Sequence, residues 1–122
     1  MKKTYETGVL GEQEAAEYLT EKYGMTLLEH RYRTKAGEID LILKDGDTIV
    51  FTEVKTRLTG PSGNGLSAVN FAKQKRITNA AILYLIKKGW MRKLIRFDLV
   101  EIQGNEILHI PNAFQPYGNF RT

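Results

Sequence analysis

Apolar residues recur along this chain with two different periods, and the changes of period divide it into helices and strands. Val9, Glu12, Ala16, Leu19 and Tyr23 fall three and four apart, one face of a helix, with Glu14, Glu17 and Glu21 turned away from it. Thr7 offers a capping hydroxyl and Gly24 a residue that tolerates the left-handed stop, so a helix over 7–23 is predicted. Residues 25–34 (MTLLEHRYRT) are β-formers without a breaker, and 34–37 make a tight connection. Alternation then runs over 38–44 and 48–56 around an Asp45-Gly46-Asp47 turn, which predicts a β-hairpin. Residues 58–65 (LTGPSGNG) read as a glycine-rich polar loop, and no G-K-[ST] follows to make it a phosphate cradle. Ser67 or Asn70 caps a second helix that ends near Lys88 at Gly89, with Ile77, Ala80, Ala81, Tyr84 and Leu85 as its buried stripe. A fourth strand over 93–103, a Gly104-Asn105 turn, a fifth strand over 106–110 and an irregular tail over 110–122 complete the chain. Trp90 and Tyr117 read as packing residues.

The hairpin register follows from its turn. With Gly46 and Asp47 at the centre, Asp45 faces Thr48, Ile42 faces Phe51, Asp40 faces Glu53 and Glu38 faces Lys55. With Asp45-Gly46 at the centre the pairing slips by two and every side chain keeps its face. Either way Glu38, Asp40, Glu53 and Lys55 share one side. Ile39, Leu41, Leu43, Val50, Thr52 and Val54 form the apolar other side, suited to a helix layer. Like charges opposite each other across strands cost up to about 1 kcal/mol. Burial raises the cost unless the acids are paired, neutralised or coordinated to a metal. A hard cation, Mg²⁺ or Mn²⁺, takes one or two carboxylates plus water and phosphate oxygens. Asp40, Glu53 and the carbonyl of Val54 are the expected oxygens, and Glu12 could complete or support the set. Lys55 is placed to orient or activate a water, or to face a transition-state phosphate. That is the chemistry of metal-assisted phosphodiester hydrolysis. Two blander readings stay open at this point. Glu12 could be a boundary glutamate favoured by the helix N-terminus. Glu38 and Lys55 could be an ordinary cross-strand pair, with Asp40 and Glu53 half-exposed, although acids are depleted in strands.

Composition narrows the setting. The chain has 122 residues, 42% hydrophobic and 26% charged, as expected of one globular domain over 1–122. The absence of cysteine excludes disulfides and Cys-ligated metal sites. The N-terminal stretch lacks a secretory apolar core, and no apolar run approaches the ~20 residues of a membrane span, so a cytoplasmic location and no membrane partner are expected. The net charge is +4 and the pI about 9.3, which suits a polyanionic partner. Arg31, Arg33, Arg57, Lys73, Lys75 and Arg76 are the candidate nucleic-acid contacts. Lysines and arginines at the start of the second helix oppose its dipole, which suggests a purpose other than helix stability; a merely solvated face is the alternative. His30 and His109 are isolated, and Asp98 at an alternating strand position reads as a supporting group or an exposed one.

The run GVLGEQEAAEYL, then RYRTKAGEIDLILKDGDTIVFTEVKTR, then AVNFAKQKRITNAAILYL and RFDLVEI resembles the YraN family of bacterial proteins across nearly the whole chain. That family is similar to the PD-(D/E)xK nuclease superfamily, the archaeal Holliday-junction resolvases in particular. The resemblance implies an α/β fold with a restriction endonuclease-like αβββαβ core, a mixed central sheet flanked by helices. It implies that Asp40 is the metal-binding aspartate, Glu53 and Lys55 the E-x-K pair, and Glu12 the acid of the first helix. Glu38 belongs to the G-E-I-D-L signature, and Ile39 stands where the superfamily name has proline. The expected activity is a Mg²⁺- or Mn²⁺-dependent DNA endonuclease, with catalytic residues Asp40, Glu53, Lys55, Glu12 and Glu38. A branched substrate would favour a homodimer. The alternatives are an inactive nucleic-acid-binding module on the same fold, and a scaffold protein, which leaves the acidic face unexplained.

Overall fold

Helix α1 spans Lys2–Tyr23 and is followed by strands β1 (Thr26–Thr34), β2 (Gly37–Asp45) and β3 (Thr48–Arg57), helix α2 (Phe71–Lys88), and strands β4 (Ile95–Gln103) and β5 (Glu106–Phe114). In this computed structural model the described residues are 2–57 and 70–116, with side chains described from residue 8 onward. The expected loop over 58–65, the alternative cap Ser67 and Tyr117 lie outside them.

The strands form one five-stranded sheet in the order β1-β2-β3-β4-β5. β1, β2 and β3 are an antiparallel meander, β4 runs parallel to β3, and β5 folds back antiparallel on β4. α2 is the crossover that the parallel pair requires. The turn chemistry is local. Thr34 Oγ1 accepts from the N–H groups of Ala36 and Gly37 at 3.0 and 3.1 Å, and Gly46 supplies the positive φ of the β2–β3 turn. Asn70 caps α2, its side chain accepting from Lys73 N, and Gly89 ends it in the left-handed conformation.

The sheet separates two cores. α2 packs Ile77, Ala80, Ala81, Tyr84 and Leu85 against Ile39, Ile42, Ile49, Phe51, Phe97 and Leu99 on one face. α1 packs Ala15 and Leu19 against Leu41, Leu43, Val50, Val100 and Ile102 on the other. The buried stripe of α2 is the predicted one. That of α1 is rotated: Glu12, Ala15 and Leu19 are buried while Tyr23 is exposed. α1 also begins at Lys2, so Thr7 lies inside the helix instead of capping it.

The C-terminal expectation is corrected as well. β4 starts at Ile95 instead of 93, and β5 continues to Phe114, through Pro111, where an irregular tail was predicted. An edge strand tolerates proline. The pairing shifts register between Phe97 and Leu99, Asn112 has φ 54, and its N–H donates to Asp98 Oδ1 at 3.0 Å. Asp98 is fully buried. Its other oxygen lies 2.7 Å from His109 Nε2, and Arg96 Nε donates to Oδ1 at 2.9 Å. This buried cluster holds the irregular part of β5 on β4.

Candidate active site

The β2–β3 hairpin has the register expected for a Gly46-Asp47 turn, with Asp45 opposite Thr48 and Ile42 opposite Phe51. The ladder then ends at Leu41 opposite Thr52, one pair before the acids. The expected facing pairs Asp40/Glu53 and Glu38/Lys55 are therefore not part of it. The two acids instead reach across to the opposite backbone: Asp40 Oδ2 accepts from Val54 N at 2.8 Å and Glu53 Oε2 from Asp40 N at 3.4 Å. The alternation of β2 slips at the same point. Ile39 packs on the α2 side with Ile42, whereas Leu41 packs on the α1 side with Leu43. Ile39 thus leaves the apolar face to which the sequence pattern assigned it, and Asp40 sits in the fork where β2 and β3 part.

β1 is irregular directly beside this point. Arg31, between the paired positions His30/Leu41 and Tyr32/Ile39, has φ 52. That conformation costs a non-glycine residue about 1 kcal/mol, and it lets two successive side chains turn to one acid. Arg31 Nε and Nη2 donate to the two oxygens of Glu12 at 2.8 and 3.2 Å, and His30 Nε2 lies 2.7 Å from Oε1. Glu12 is thereby held, buried, on the α1 side of the fork. The charge of Glu12 raises the pKa of Asp40, as does that of Glu38.

The electrostatics of the fork are those of crowded, desolvated acids. Burial, and then the Asp40 charge, push Glu53 up to about 8. Burial also pushes Asp40 up to about 6, against the hydrogen bond from Val54. Lys73, on the first turn of α2, places Nζ 3.2 Å from Glu53 Oε1 and lowers both values. Glu53 and Lys55 lie on the α2 side of β3, because the β3–β4 pairing is unbroken from Ile49 to Arg57 and Phe51 packs on that side. Lys55 is half-buried.

Glu38 does not join this face. It precedes Ile39, which turns to the α2 side, and its carboxylate takes Arg33 Nε at 2.6 Å near the surface. Several candidate nucleic-acid contacts are engaged with acids: Arg31 with Glu12, Arg33 with Glu38, Lys73 with Glu53, and Arg57 with Glu101, whose oxygen is 3.3 Å from Arg57 Nε. Lys75 and Arg76 are on the exposed side of α2. Two participants were not singled out from the sequence. Glu101 looked like one more strand residue, and His30 should have faced away from Arg31 on a regular strand. The misfit of Lys73 with the helix dipole was the one available signal for its role.

Among the described residues no three His, Asp or Glu side chains converge as a metal cage. The donor set nevertheless fits a hard divalent cation. Mg²⁺ needs only one or two carboxylates beside water and phosphate, and the pKa values of Asp40 and Glu53 are raised first by burial and then by neighbouring acids, a cost of ionisation that a bound cation would offset. Val54, the third expected donor through its carbonyl, is fixed beside Asp40 by its N–H.

A five-stranded mixed sheet with a helix on each face, in the order αβββαββ, is a restriction endonuclease-like core. The chain belongs to the uncharacterised protein family UPF0102, whose sequence profile matches residues 11–102. A UPF0102 protein of Geobacter metallireducens is 43% identical over 112 residues, covering 88% of this chain and 91% of the relative. One of Clostridioides difficile is 44% identical over 111 residues, covering 89% and 96%. Among solved structures, "Crystal structure of SSO0001" is 15% identical with a TM-score of 0.43, over 86% of this chain and 50% of that one, a likeness too slight to carry weight. Among the described residues no helix is long and apolar enough to cross a membrane.

Proposed function

We propose that this protein is a Mg²⁺- or Mn²⁺-dependent phosphodiester hydrolase acting on DNA, with branched or junction DNA as the favoured substrate class. One observation carries the reading: Asp40 and Glu53 are brought together in a desolvated fork that raises both pKa values, with Lys55 on the face of Glu53. Asp40, Glu53 and the Val54 carbonyl would hold the cation. When bound, it would polarise the phosphate and make the attacking water acidic. Lys55 orients that water or faces the anionic phosphate. Glu12, fixed by Arg31 and His30, sets the charge on the α1 side of Asp40. Glu38 and Arg33 form a flanking pair, and Lys75 and Arg76 lie on the exposed surface of α2 for backbone phosphates.

The test is nicking of branched, flapped and linear DNA with Mg²⁺, Mn²⁺ or EDTA, using wild type, Asp40→Ala and Lys55→Ala. Cleavage that needs the divalent ion and falls by about 10²-fold or more in each variant is expected. Equal cleavage by the variants would assign the activity to a contaminant. A second reading, an inactive nucleic-acid-binding module, is favoured by the ammonium of Lys73, which already stands 3.2 Å from Glu53 Oε1. It requires salt-sensitive DNA binding without cleavage and no divalent-ion heat that Asp40→Ala abolishes. A homodimer with two such sites would suit a branched substrate, and sedimentation with and without junction DNA reads it.

A further inference from the structure

Lys73 stands where a helix disfavours it. The first turn of α2 holds no acidic residue, and a cation there faces the positive end of the dipole. Asn70 nonetheless fixes that turn by accepting from Lys73 N at 2.9 Å, and the side chain is turned inward, with Nζ 3.2 Å from Glu53 Oε1. The side chain of Glu53 is 6% exposed and that of Lys73 32%, so the acid is fixed while the lysine keeps one flank in water. A divalent cation at Asp40 and Glu53 would meet this ammonium as a like charge on a shared ligand. A lysine stem with four rotatable bonds can swing away where the carboxylates cannot. Lys75 and Arg76, two and three residues further along α2, are exposed cations on the same helix.

We propose that Lys73 has two stations: on Glu53 when the fork holds no divalent cation, and on a backbone phosphate of the nucleic acid when it does. It is a positioning residue that exchanges a carboxylate for substrate as the metal enters. This makes phosphate recognition conditional on the metal, and it rests on the reading of the fork as a divalent-cation centre.

The experiment measures binding to one duplex at several salt concentrations, with Mg²⁺ or EDTA, in a Lys55→Met background that keeps both carboxylates but removes the amine acting on water. Lys73→Met is compared with its parent and with Lys87→Met, which removes the same charge from an exposed position in the last turn of α2. The slope of log affinity against log salt should fall by about 1 for Lys73→Met in Mg²⁺ and stay at the parent value in EDTA. Lys87→Met should not distinguish the two conditions. Lys73→Gln, which keeps a hydrogen-bond donor for Glu53, should repeat the pattern and excludes misfolding as its cause. Calorimetry adds the metal itself: the parent should give a saturable Mg²⁺ heat, and Lys73→Gln should retain it. A slope change that is equal in Mg²⁺ and EDTA, or absent from both, overturns the proposal while leaving the metal site intact. Absence of any Mg²⁺ heat in the parent overturns the metal site, and the two-station role of Lys73 with it.

Discussion

Glu53 is a carboxylate held out of water close to a second one, Asp40. It accepts from the Asp40 backbone N–H and has Lys73 as its cation. An acid whose folded pKa is raised takes up protons on folding between its ordinary and its raised value, so stability falls as pH rises through that interval. The interval runs from 3.8 to about 6 for Asp40 and from 4.5 to about 8 for Glu53. In EDTA the protein should therefore be more stable at pH 5 than at pH 8, by an amount on the order of a few kcal/mol. Urea midpoints at constant m read this directly. Glu53→Gln should flatten the part of the decline between pH 6 and 8, and Mg²⁺ should reverse it, since a bound cation favours the ionised acids. A curve that stays level or rises from pH 5 to 8 would mean that the acids are already neutralised by something other than Lys73. Glu12, also buried, is held by two side chains of β1. The strained φ of Arg31 brings both Arg31 and His30 to it, which turns a buried charge from a liability into a fixed part of the site.

At the scale of elements, α1 must lie close enough on β3 for Glu12 to reach the fork, and Gly11 makes that approach possible. A Cβ on Gly11 would collide with Thr56 Oγ1. The threonine has few alternative rotamers with which to yield. Gly11→Ala should cost about 1–3 kcal/mol by overpacking. The next contacts of that Cβ are 3.6 and 3.8 Å away, so Thr56→Ala should recover much of the loss. A double-mutant cycle on urea midpoints checks this: strict additivity would place the cost in the helix itself instead of the contact. The same scale shows what could be read from the sequence. The hairpin register, the Asn70 cap, the Gly89 stop and the α2 stripe each depend on residues within a few positions of one another, and each was legible. The slip at Asp40 was not, because alternation assumes that the ladder continues. Here the acids take backbone N–H groups of the facing strand, so the pairing ends and Glu38 and Ile39 change sides. The continuation of β5 past Pro111 was equally hidden, since it relies on Asp98 accepting the Asn112 N–H from a distant strand. Glu12 could be placed on a helix face from its spacing, but its partners come from a strand whose local twist no pattern announced.

For the whole molecule, the sheet keeps two groups of buried charge apart. Glu53 faces the α2 side, whereas Asp98 precedes Leu99, which faces α2, and follows Phe97, which does too, so Asp98 faces α1. The two groups also have opposite electrostatic characters. Burial by itself would raise the pKa of Asp98, but His109, Arg96 and the Asn112 N–H outweigh it and hold the acid below its ordinary value. A lowered acid stabilises the fold above its unfolded pKa and loses that contribution as pH falls through the folded one. Asp98 therefore shapes the acid limb of the stability curve, while Asp40 and Glu53 shape the decline toward pH 8. Asp98→Asn keeps an acceptor for Asn112 but leaves Arg96 and His109 without their shared charge, and should cost about 3 kcal/mol at pH 7. It should also weaken the acid limb and leave the Mg²⁺ heat at the fork unchanged. Amide exchange should show the loss first along β5, whose register shift the cluster holds in place. If Asp98→Asn abolished the Mg²⁺ heat while the protein remained folded, the two groups would be coupled through the sheet. The independence of the Asp98 cluster from the Asp40–Glu53 fork would then fail.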